Sequence, residues 1–322
     1  MTLLRVENLS VGYQTRQGML HAVEGMSFLI DKGASFGLVG ESGCGKSTLG
    51  MSLMGLLPAN GSVLSGQMLY CGDDLLGRSA SEMRMIRWRE ISMIFQGAMN
   101  ALNPVHRVED QIREAIEAHL PGLSDREVDD QVSDLFKLVS IPANRVREYP
   151  HQFSGGMKQR AVIAMALACK PKLIIADEPT TALDVIVQDQ ILGEIRQLQN
   201  ALSISLLFIS HDIAVVARMC STIGVMYAGQ LIELGSREDV IETPCHPYTQ
   251  ALLRSYPTIF KDTAAFDPIP GEAPNLVTPP AGCRFLVRCP VSMPTCSTGL
   301  PGWAAVSDGH RVRCIRHDGS GR

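Results

Sequence analysis

One segment near the N-terminus carries the residues of a phosphate-binding loop. Residues 40–47 read Gly-Glu-Ser-Gly-Cys-Gly-Lys-Ser and fit the pattern G-x-x-x-x-G-K-[ST]. The glycines let backbone N–H groups turn inward around phosphate oxygens, and the following helix adds the partial positive charge of its N-terminus. Lys46 supplies a cation for the β- and γ-phosphates, and Ser47 supplies a hydroxyl for Mg²⁺. The sequence therefore predicts an ATP-binding loop made of Gly40, Glu41, Ser42, Gly43, Cys44, Gly45, Lys46, Ser47 and Thr48.

A second candidate site follows a short apolar run. Residues 173–176 are Leu-Ile-Ile-Ala, and Asp177 and Glu178 come directly after them. From the carboxyl end of a buried strand, Asp177 can reach the Mg²⁺ shell, and Glu178 can orient or deprotonate an attacking water. Two acids after a strand are by themselves usually a solvated strand end. Their combination with the phosphate loop indicates a hydrolytic site.

The remaining pattern supplies the elements that position these motifs. Apolar strands are predicted at 3–9, 21–30, 35–39, 173–176, 205–209 and 222–227. Helices are predicted at 47–57, 185–202 and 213–219, with helical periodicity from about 98 to 168. A turn-rich stretch covers 12–18, and mixed short strands with one polar helix cover about 65–96. Strands that alternate with helices indicate a parallel sheet.

Composition limits the class of protein. The chain has 322 residues, 45% of them hydrophobic, which is enough for one large domain with an appendage or two modest domains. Its formal net charge of −4 gives no electrostatic reason to expect nucleic acid as a partner. The first residues carry charges where a secretory signal needs an apolar core, and no apolar run reaches the ~18 residues of a membrane span. We therefore expect a soluble chain made in the cytosol.

Residues 153–160, Phe-Ser-Gly-Gly-Met-Lys-Gln-Arg, resemble the signature sequence of ATP-binding-cassette (ABC) ATPases. Ser154 and the two glycines open a helix, and bare amides at a helix N-terminus form an anion site. In that family the site contacts the γ-phosphate of ATP held by the opposite subunit. The resemblance assigns this role to Ser154, Gly155, Gly156 and Met157. The family commonly has Gln at position 157, and Met removes one polar group but leaves the amides.

Other motifs of the family follow in the same order over about residues 3–255. Gln96 matches the Q-loop residue that contacts Mg²⁺ and the attacking water. Residues 182–184 match the D-loop, which lies across the dimer, and His211 matches the switch histidine near the γ-phosphate. Tyr13 is placed like the aromatic residue that stacks on adenine.

The resemblance implies a set of roles and an architecture. The implied catalytic residues are Glu178, His211 and Gln96, the implied Mg²⁺ ligands are Ser47, Gln96 and Asp177, and Tyr13 and Asp184 join the ATP-binding set. The implied fold is α/β, a P-loop NTPase domain with a mostly parallel core sheet, an antiparallel β subdomain and a helical subdomain. That ABC ATPase domain is expected at 1–255, with the helical subdomain at about 97–160, and a loop-rich, cysteine-containing extension at 256–322.

Four stretches resemble one branch of the family, the ATPases of oligopeptide and dipeptide importers. They are residues 94–104 (IFQGAMNALNP), 153–167 (FSGGMKQRAVIAMAL), 176–187 (ADEPTTALDVIV) and 246–249 (HPYT). The chain is thus similar to the first of two ATPase subunits of a peptide importer. The branch often has Asp-Pro where this chain has Gly97-Ala98, beside the membrane-coupling surface.

The resemblance to this branch also implies partners and a location. We expect a second ABC ATPase forming a heterodimer, two transmembrane permeases and an extracytoplasmic peptide-binding protein, at the cytoplasmic face of the cell membrane. Nickel-import ATPases of the same branch share many of these residues and remain an alternative. A soluble ABC ATPase of repair or translation would usually carry two cassettes or a long coiled coil. A non-catalytic subunit would lack Glu178 or His211, and both are present.

After about residue 255 the chain is rich in proline and carries four clustered cysteines. Cys283, Cys289, Cys296 and Cys314 have the spacing C-x5-C-x6-C-x17-C. Four thiolates suffice for a [4Fe–4S] cluster or for tetrahedral zinc, and free thiols are the third alternative. Some ATPases of this branch resemble this segment and carry a [4Fe–4S] cluster, so the resemblance implies a structural cluster. Five arginines are expected to offset its negative charge, namely Arg284, Arg288, Arg311, Arg313 and Arg316.

Overall fold

The computed structural model of the chain describes residues 1–97, 101–181, 183–255 and 269–317. These residues form two units. The helical unit comprises Met1, Asp31–Ala34 and Gly77–Leu207, and the phosphate-loop unit comprises Thr2–Ile30, Ser35–Leu76 and the described residues from Phe208 onward. The predictions made for Ala98, for Ala182 of the D-loop and for the start of the extension at 256 lie outside the described residues. The predicted domain boundary between 255 and 256 therefore stays a prediction.

The strands and helices are numbered along the chain. The strands are β1 (Thr2–Thr15), β2 (Gly18–Asp31), β3 (Ser35–Val39), β4 (Gly61–Tyr70), β5 (Asp73–Asp74), β6 (Ile91–Ile94), β7 (Leu173–Asp177), β8 (Ser205–Ser210), β9 (Thr222–Tyr227), β10 (Gln230–Ser236), β11 (Ala304–Ser307) and β12 (His310–Val312). The helices are α1 (Lys46–Leu53), α2 (Ala80–Ile86), α3 (Val108–His119), α4 (Asp125–Leu138), α5 (Gly155–Leu167), α6 (Val185–Leu202), α7 (Ile213–Met219), α8 (Arg237–Glu242) and α9 (Pro247–Arg254).

An antiparallel sheet in the phosphate-loop unit has the strand order β2-β1-β4-β5. The prediction of a turn over 12–18 is wrong for most of its length, because β1 continues to Thr15. Two register shifts between Glu7 and Val11 let β1 follow β4 as far as the pair Tyr13–Gly61. The long strand carries Tyr13 to the position where it enters the site described below.

A second sheet of this unit has the order β11-β12-β10-β9-β3. β3 and β9 run parallel, and all five residues of β3 are buried, as the apolar run at 35–39 predicts. Helix α7 packs closely on β3, since a Cβ on Gly37 would lie 2.2 Å from Cγ1 of Val216. The sequence did not predict β11 and β12. These strands attach the extension to the edge of β10 through the pair Glu233–Val312.

The helical unit contains the parallel pair β6–β7, the first three residues of β8, and the helices α2 to α6. Helix α4 begins with a capping box between Ser124 and Glu127, and its buried face carries Val128, Val132 and Phe136. Arg160 of α5 binds Glu194 of α6 through both carboxylate oxygens, at 2.6 to 3.1 Å. The helical character predicted from about 98 to 168 is confirmed for α3, α4 and α5, whereas 101–107 and 139–154 form turns and short 3₁₀ helices.

The ends of two predicted helices agree with the structure, and the end of a third differs. α6 and α7 have the predicted bounds, whereas α1 ends at Leu53 instead of Leu57 because Gly55 adopts a φ of +61° just beyond it. None of the helices in the described ranges has the length and apolarity needed to span a bilayer.

Candidate functional site

The phosphate loop joins the end of β3 to α1 in the phosphate-loop unit. A Cβ on Gly40 would lie 2.0 Å from the Met226 carbonyl oxygen, and one on Gly45 would lie 2.1 Å from the Ala22 carbonyl oxygen. Gly45 also has a φ of 106°, in the region that favours glycine. Gly45 is the N-cap of α1 and offers no side-chain hydrogen bond to the helix amides. The backbone therefore presents a helix N-terminus suited to an anion.

Lys46 is the buried cation of this loop, with 5% of its surface exposed. Its Nζ donates to the carbonyl oxygens of Gly40 at 2.7 Å and Glu41 at 3.0 Å. These bonds offset part of the cost of burying an ammonium group. Phosphate oxygens would form stronger, charge-assisted bonds with the same group. These contacts place the Lys46 ammonium group at the loop.

Tyr13 lies beside the phosphate loop. Its hydroxyl donates to Oγ1 of Thr48 at 3.1 Å. Its ring packs on Gly61, where a Cβ would come within 2.8 Å of the ring. The predicted adenine-stacking residue and a predicted ATP-binding residue are therefore brought together. Ser47, the predicted magnesium ligand, follows Lys46 in the first turn of α1.

The carboxylate site forms in the helical unit, where two parallel strands end. Ile94 of β6 lies opposite Ala176 of β7, so the segments that follow leave the same edge of the sheet. Gln96 Nε2 donates to Oε2 of Glu178 at 3.0 Å, and Thr181 Oγ1 donates to the same oxygen at 3.0 Å. Two of the three predicted catalytic residues are therefore in direct contact.

Glu178 has an unusual backbone conformation, with a φ of 48°. A left-handed conformation costs a non-glycine residue about 1–2 kcal/mol, and such residues cluster at functional sites. The preceding residue, Asp177, ends β7 and is only 3% exposed. A buried carboxylate next to a constrained glutamate is suited to magnesium-assisted hydrolysis.

His211, the third predicted catalytic residue, follows β8 and is exposed. Its neighbour Asp212 caps α7 by accepting from the amides of Ala214 at 2.8 Å and Val215 at 3.3 Å. The backbone at His211 is thus fixed between a buried strand and a capped helix. His211 belongs to the phosphate-loop unit, whereas Gln96 and Glu178 belong to the helical unit.

The predicted signature segment begins α5. Ser154 is the N-cap, and its Oγ accepts from the amide of Met157 at 3.4 Å. A Cβ on Gly156 would lie 2.8 Å from Cγ1 of Val187, so α5 and α6 approach closely at this end. Ser154 and Gly155 are exposed. The helix N-terminus is therefore accessible from outside the helical unit, as a site for a second subunit's nucleotide requires.

The predicted D-loop aspartate begins the neighbouring helix. Asp184 is exposed and caps α6 by accepting from the amide of Val187 at 2.9 Å. The next two residues, Val185 and Ile186, are 81% and 73% exposed. Two large apolar side chains are therefore exposed at the start of α6.

Four cysteines of the extension line one cavity of about 20 Å³, here called the thiol cavity. They are the predicted ligands Cys283, Cys289, Cys296 and Cys314. Among the described residues, no three of these sulfur atoms lie within 4.8 Å of one another. Zinc, with bonds of about 2.3 Å to sulfur, would need neighbouring sulfurs about 3.8 Å apart. The four thiols thus converge, but more widely than a zinc tetrahedron needs.

Burial controls the protonation of these thiols. It raises the pKa of Cys283 to about 11, and it also raises the pKa values of Cys289 and Cys314. Because metals bind the thiolate form, the thiols would have to lose protons when a metal enters.

The five arginines expected to balance a cluster's charge are divided by the structure. Arg316 lines the thiol cavity. The other four bind the rest of the phosphate-loop unit instead: Arg284 to Glu24 and the Ala228 carbonyl, Arg288 to Glu41, Arg311 to the Ser27 carbonyl, and Arg313 to the Gly25 carbonyl. These four side chains therefore attach the extension to the rest of the unit, and their effect on a cluster's charge stays a prediction.

The contact between Arg288 and Glu41 was missed by the sequence analysis. Nη1 and Nη2 of Arg288 donate to the two carboxylate oxygens of Glu41, at 2.8 and 2.9 Å. No local pattern pairs residues this far apart in sequence. The only signals are that Arg288 precedes the predicted ligand Cys289 and that Glu41 occupies a variable position of the loop motif.

A second unpredicted cluster contains Glu233, Cys245 and His310, whose potential ligand atoms lie within 4.8 Å of one another. The Glu233 carboxylate accepts from the amide of Cys245 at 2.7 Å, from the amide of His246 at 2.9 Å, and from Nε2 of His310 at 2.9 Å. These three hydrogen bonds account for the buried carboxylate without a metal ion.

Two family profiles match the chain. Residues 23–181 match the profile described as ABC transporter, and residues 232–296 match the profile described as oligopeptide/dipeptide transporter, C-terminal region. The second profile ends at Cys296 and so includes three of the four cysteines that line the thiol cavity.

Relatives match nearly the whole chain. The dipeptide transport ATP-binding protein DppD of Bacillus subtilis is 47% identical over 98% of this chain and 95% of the relative. The oligopeptide transport ATP-binding protein OppD of Salmonella typhimurium is 42% identical over 98% of this chain and 93% of the relative.

Solved structures share the fold. CbiO1 of Clostridium perfringens, part of the ABC transporter complex CbiONQ, superposes with a TM-score of 0.65 at 28% identity, covering 75% of this chain and 91% of that one. The ATP-binding cassette MJ0796, in a dimeric post-hydrolysis state with ADP and Pi, also gives 0.65, at 23% identity, covering 73% of this chain and 98% of that one.

Proposed function

This chain belongs to the ABC transporter family of ATPase subunits, and from that premise we propose that it powers the uptake of dipeptides or oligopeptides. The observation that carries the proposal is similarity to peptide-transport ATPases over almost the full length, including the extension. The activity is ATP hydrolysis, and the fold is that of an ABC ATPase. Nickel import by the same branch of the family is the alternative cargo.

Within this function, the phosphate loop binds the triphosphate of ATP. Backbone amides of the loop and Lys46 hold the β- and γ-phosphates, and Tyr13 stacks on adenine. Ser47, Gln96 and Asp177 would hold Mg²⁺, and the bound ion would neutralise charge developing on the phosphates. The bonds of Lys46 and the burial of Asp177 support these assignments.

Hydrolysis is assigned to water oriented by Glu178. The water oxygen attacks the γ-phosphorus, the bond from that phosphorus to the β–γ bridging oxygen breaks, and the water proton passes toward the Glu178 carboxylate. Gln96 and Thr181 support this role because both donate to the carboxylate and fix its orientation. His211 acts near the γ-phosphate.

A second ATPase subunit completes each nucleotide site. Ser154, Gly155, Gly156 and Met157, together with Asp184, would contact ATP held by that partner. The exposed α5 N-terminus supports this assignment, and so do the exposed Val185 and Ile186 beside Asp184, which a partner would cover. We expect a heterodimer with a related ATPase.

The complete transporter contains further proteins. Two transmembrane permeases would be moved by closure and reopening of the ATPase dimer, and an extracytoplasmic binding protein would deliver the peptide. This chain would lie at the cytoplasmic face of the membrane as a peripheral subunit.

The thiol cavity would hold a [4Fe–4S] cluster. Convergence of the four thiols supports a metal group, and sulfur separations wider than a zinc tetrahedron favour the cluster over zinc. When bound, the group would link the loops that carry the four cysteines. Iron without zinc in anaerobically purified protein would support this assignment, and zinc or no metal would contradict it.

The proposed function is tested in the assembled complex. This chain is purified with its partner ATPase and permeases, and ATP hydrolysis is measured with the binding protein empty or loaded with peptide. Stimulation by the peptide-loaded protein is expected. Stimulation of ATP hydrolysis by nickel alone would identify nickel as the cargo. An ATPase rate that neither peptide nor nickel changes would contradict the importer function.

A further inference from the structure

We propose that the C-terminal extension positions the phosphate loop, with Arg288 as the positioning residue that acts through Glu41. This inference rests on the proposed ATP site at Lys46. It assigns to the extension a direct effect on nucleotide affinity, in addition to its attachment to the rest of the unit.

Glu41 is the point where the extension meets the loop. Its amide donates to the hydroxyl of Tyr248, on α9, at 3.0 Å. Its carboxylate accepts the two bonds from Arg288, and its carbonyl oxygen accepts from Nζ of Lys46 at 3.0 Å. All three polar groups of Glu41 are therefore occupied, the carboxylate by the extension and the amide by α9. These contacts fix the first turn of the loop.

Arg288 is itself held rigidly. Its Nε donates to the Pro270 carbonyl at 2.8 Å, and its Nη1 also donates to the hydroxyl of Tyr227 at 3.2 Å. The residue is 8% exposed. A buried guanidinium with several fixed acceptors loses little further entropy in holding a carboxylate, so it can fix the Glu41 side chain in one position.

The charge of Arg288 matters as much as its geometry. Glu41 places a carboxylate inside a loop that must accept a polyanion, and Arg288 neutralises it through two charge-assisted bonds. Without that cation, the carboxylate would repel phosphate and would also compete for Lys46. Loss of Arg288 should therefore weaken ATP binding by about tenfold or more.

The same segment offers a matched control. Arg284 is 5% exposed and also joins the extension to a glutamate, but that glutamate is Glu24 of β2. Both arginines lie beside cysteines of the thiol cavity, Arg284 after Cys283 and Arg288 before Cys289. A role limited to attachment would make the two arginines equivalent, whereas the proposal makes only Arg288 important for ATP.

The experiment compares Arg288→Gln, Arg288→Lys and Arg284→Gln in the full chain. Binding of a non-hydrolysable ATP analogue with Mg²⁺ is titrated calorimetrically, and thermal unfolding is followed for each variant. Arg288→Gln is expected to bind about tenfold more weakly, Arg288→Lys to recover part of that loss, and Arg284→Gln to stay within about twofold of the parent chain. Equal losses for Arg288→Gln and Arg284→Gln, or no loss for Arg288→Gln, would overturn the proposal.

A double variant separates the effect of the unpaired Glu41 charge from the effect of a less rigid loop. Adding Glu41→Gln to Arg288→Gln removes the unpaired carboxylate, so affinity should rise again to within about threefold of the parent. A double variant that binds ATP as weakly as Arg288→Gln would contradict the proposal. The comparison remains valid if both variants are less stable than the parent chain. The ATP affinity of Lys46→Ala is measured in the same experiment. Retained binding by Lys46→Ala would contradict the proposed ATP site itself. Lost binding by Lys46→Ala together with parent affinity in Arg288→Gln would contradict only this inference.

Discussion

The phosphate loop and the thiol cavity lie in the same unit but are built in opposite ways. The loop takes its ligands from nine consecutive residues, 40–48, and fixes them through backbone contacts that exclude any side chain at Gly40 and Gly45. The cavity takes four side chains from residues 283 to 314, which are joined mainly by turns and short 3₁₀ helices. The first site is therefore formed by one continuous backbone segment, whereas the second is formed by side chains brought together from separate turns.

Removal of the loop's cation should have the largest effect. Lys46→Ala deletes the charge-assisted bonds to the phosphates, and we expect ATP affinity to fall by about 100-fold. The thiol cavity should load metal as before, which total metal analysis checks. Lys172→Ala is the control, because Lys172 is an exposed lysine bound to Glu90 in the helical unit. Equal ATP affinity in Lys46→Ala and Lys172→Ala would contradict the role of the phosphate loop in binding ATP.

Metal loading of the thiol cavity should depend strongly on pH. Burial raises the pKa of Cys283 to about 11, so protons compete with metal over the whole range below it, and loading should rise with pH. For each thiol that must lose a proton, apparent affinity should rise about tenfold per pH unit below the pKa. Competition with a chelator at several pH values measures the slope, with Cys283→Ser as control. A metal affinity that does not change with pH would mean that the cysteines are already deprotonated before metal binds.

A smaller effect is expected where the extension contacts β2. Glu24→Gln leaves the buried Arg284 without its carboxylate, so the free energy of unfolding should fall by about 1–3 kcal/mol. ATP affinity should not change, because Glu24 does not contact the loop. Chemical denaturation and nucleotide titration measure the two quantities. A variant that lost ATP affinity in proportion to stability would show that the loop, too, depends on general attachment.

The sequence was most informative where the chemistry is local. The loop motif, the run ending in Asp177 and Glu178, and the bounds of α6 and α7 follow from spacing and periodicity within short windows. The family resemblance placed Gln96 and Glu178 in one site, and their contact follows because both come after parallel strands that end at the same edge.

The parts that escaped prediction involve residues far apart in the chain. Strands β11 and β12 are three to four residues long and gain their place only by pairing with β10, so no local pattern marks them. The partners of Arg284 and Arg288 are equally distant from them in sequence. The predicted metal cluster led us to expect these arginines beside the cysteines. Proline-rich composition also hid how firmly the extension packs, with Phe285 and Val312 almost fully buried.

Hydrolysis by the Glu178 variant tests the central claim most directly. Glu178→Gln keeps the shape and the contacts of Gln96 but loses the charge that orients water, so the assembled complex should bind ATP normally and hydrolyse it at least about 100-fold more slowly. The control Glu127→Gln, at an exposed capping box of α4, should hydrolyse ATP at the parent rate. Parent-rate hydrolysis by Glu178→Gln would contradict the account.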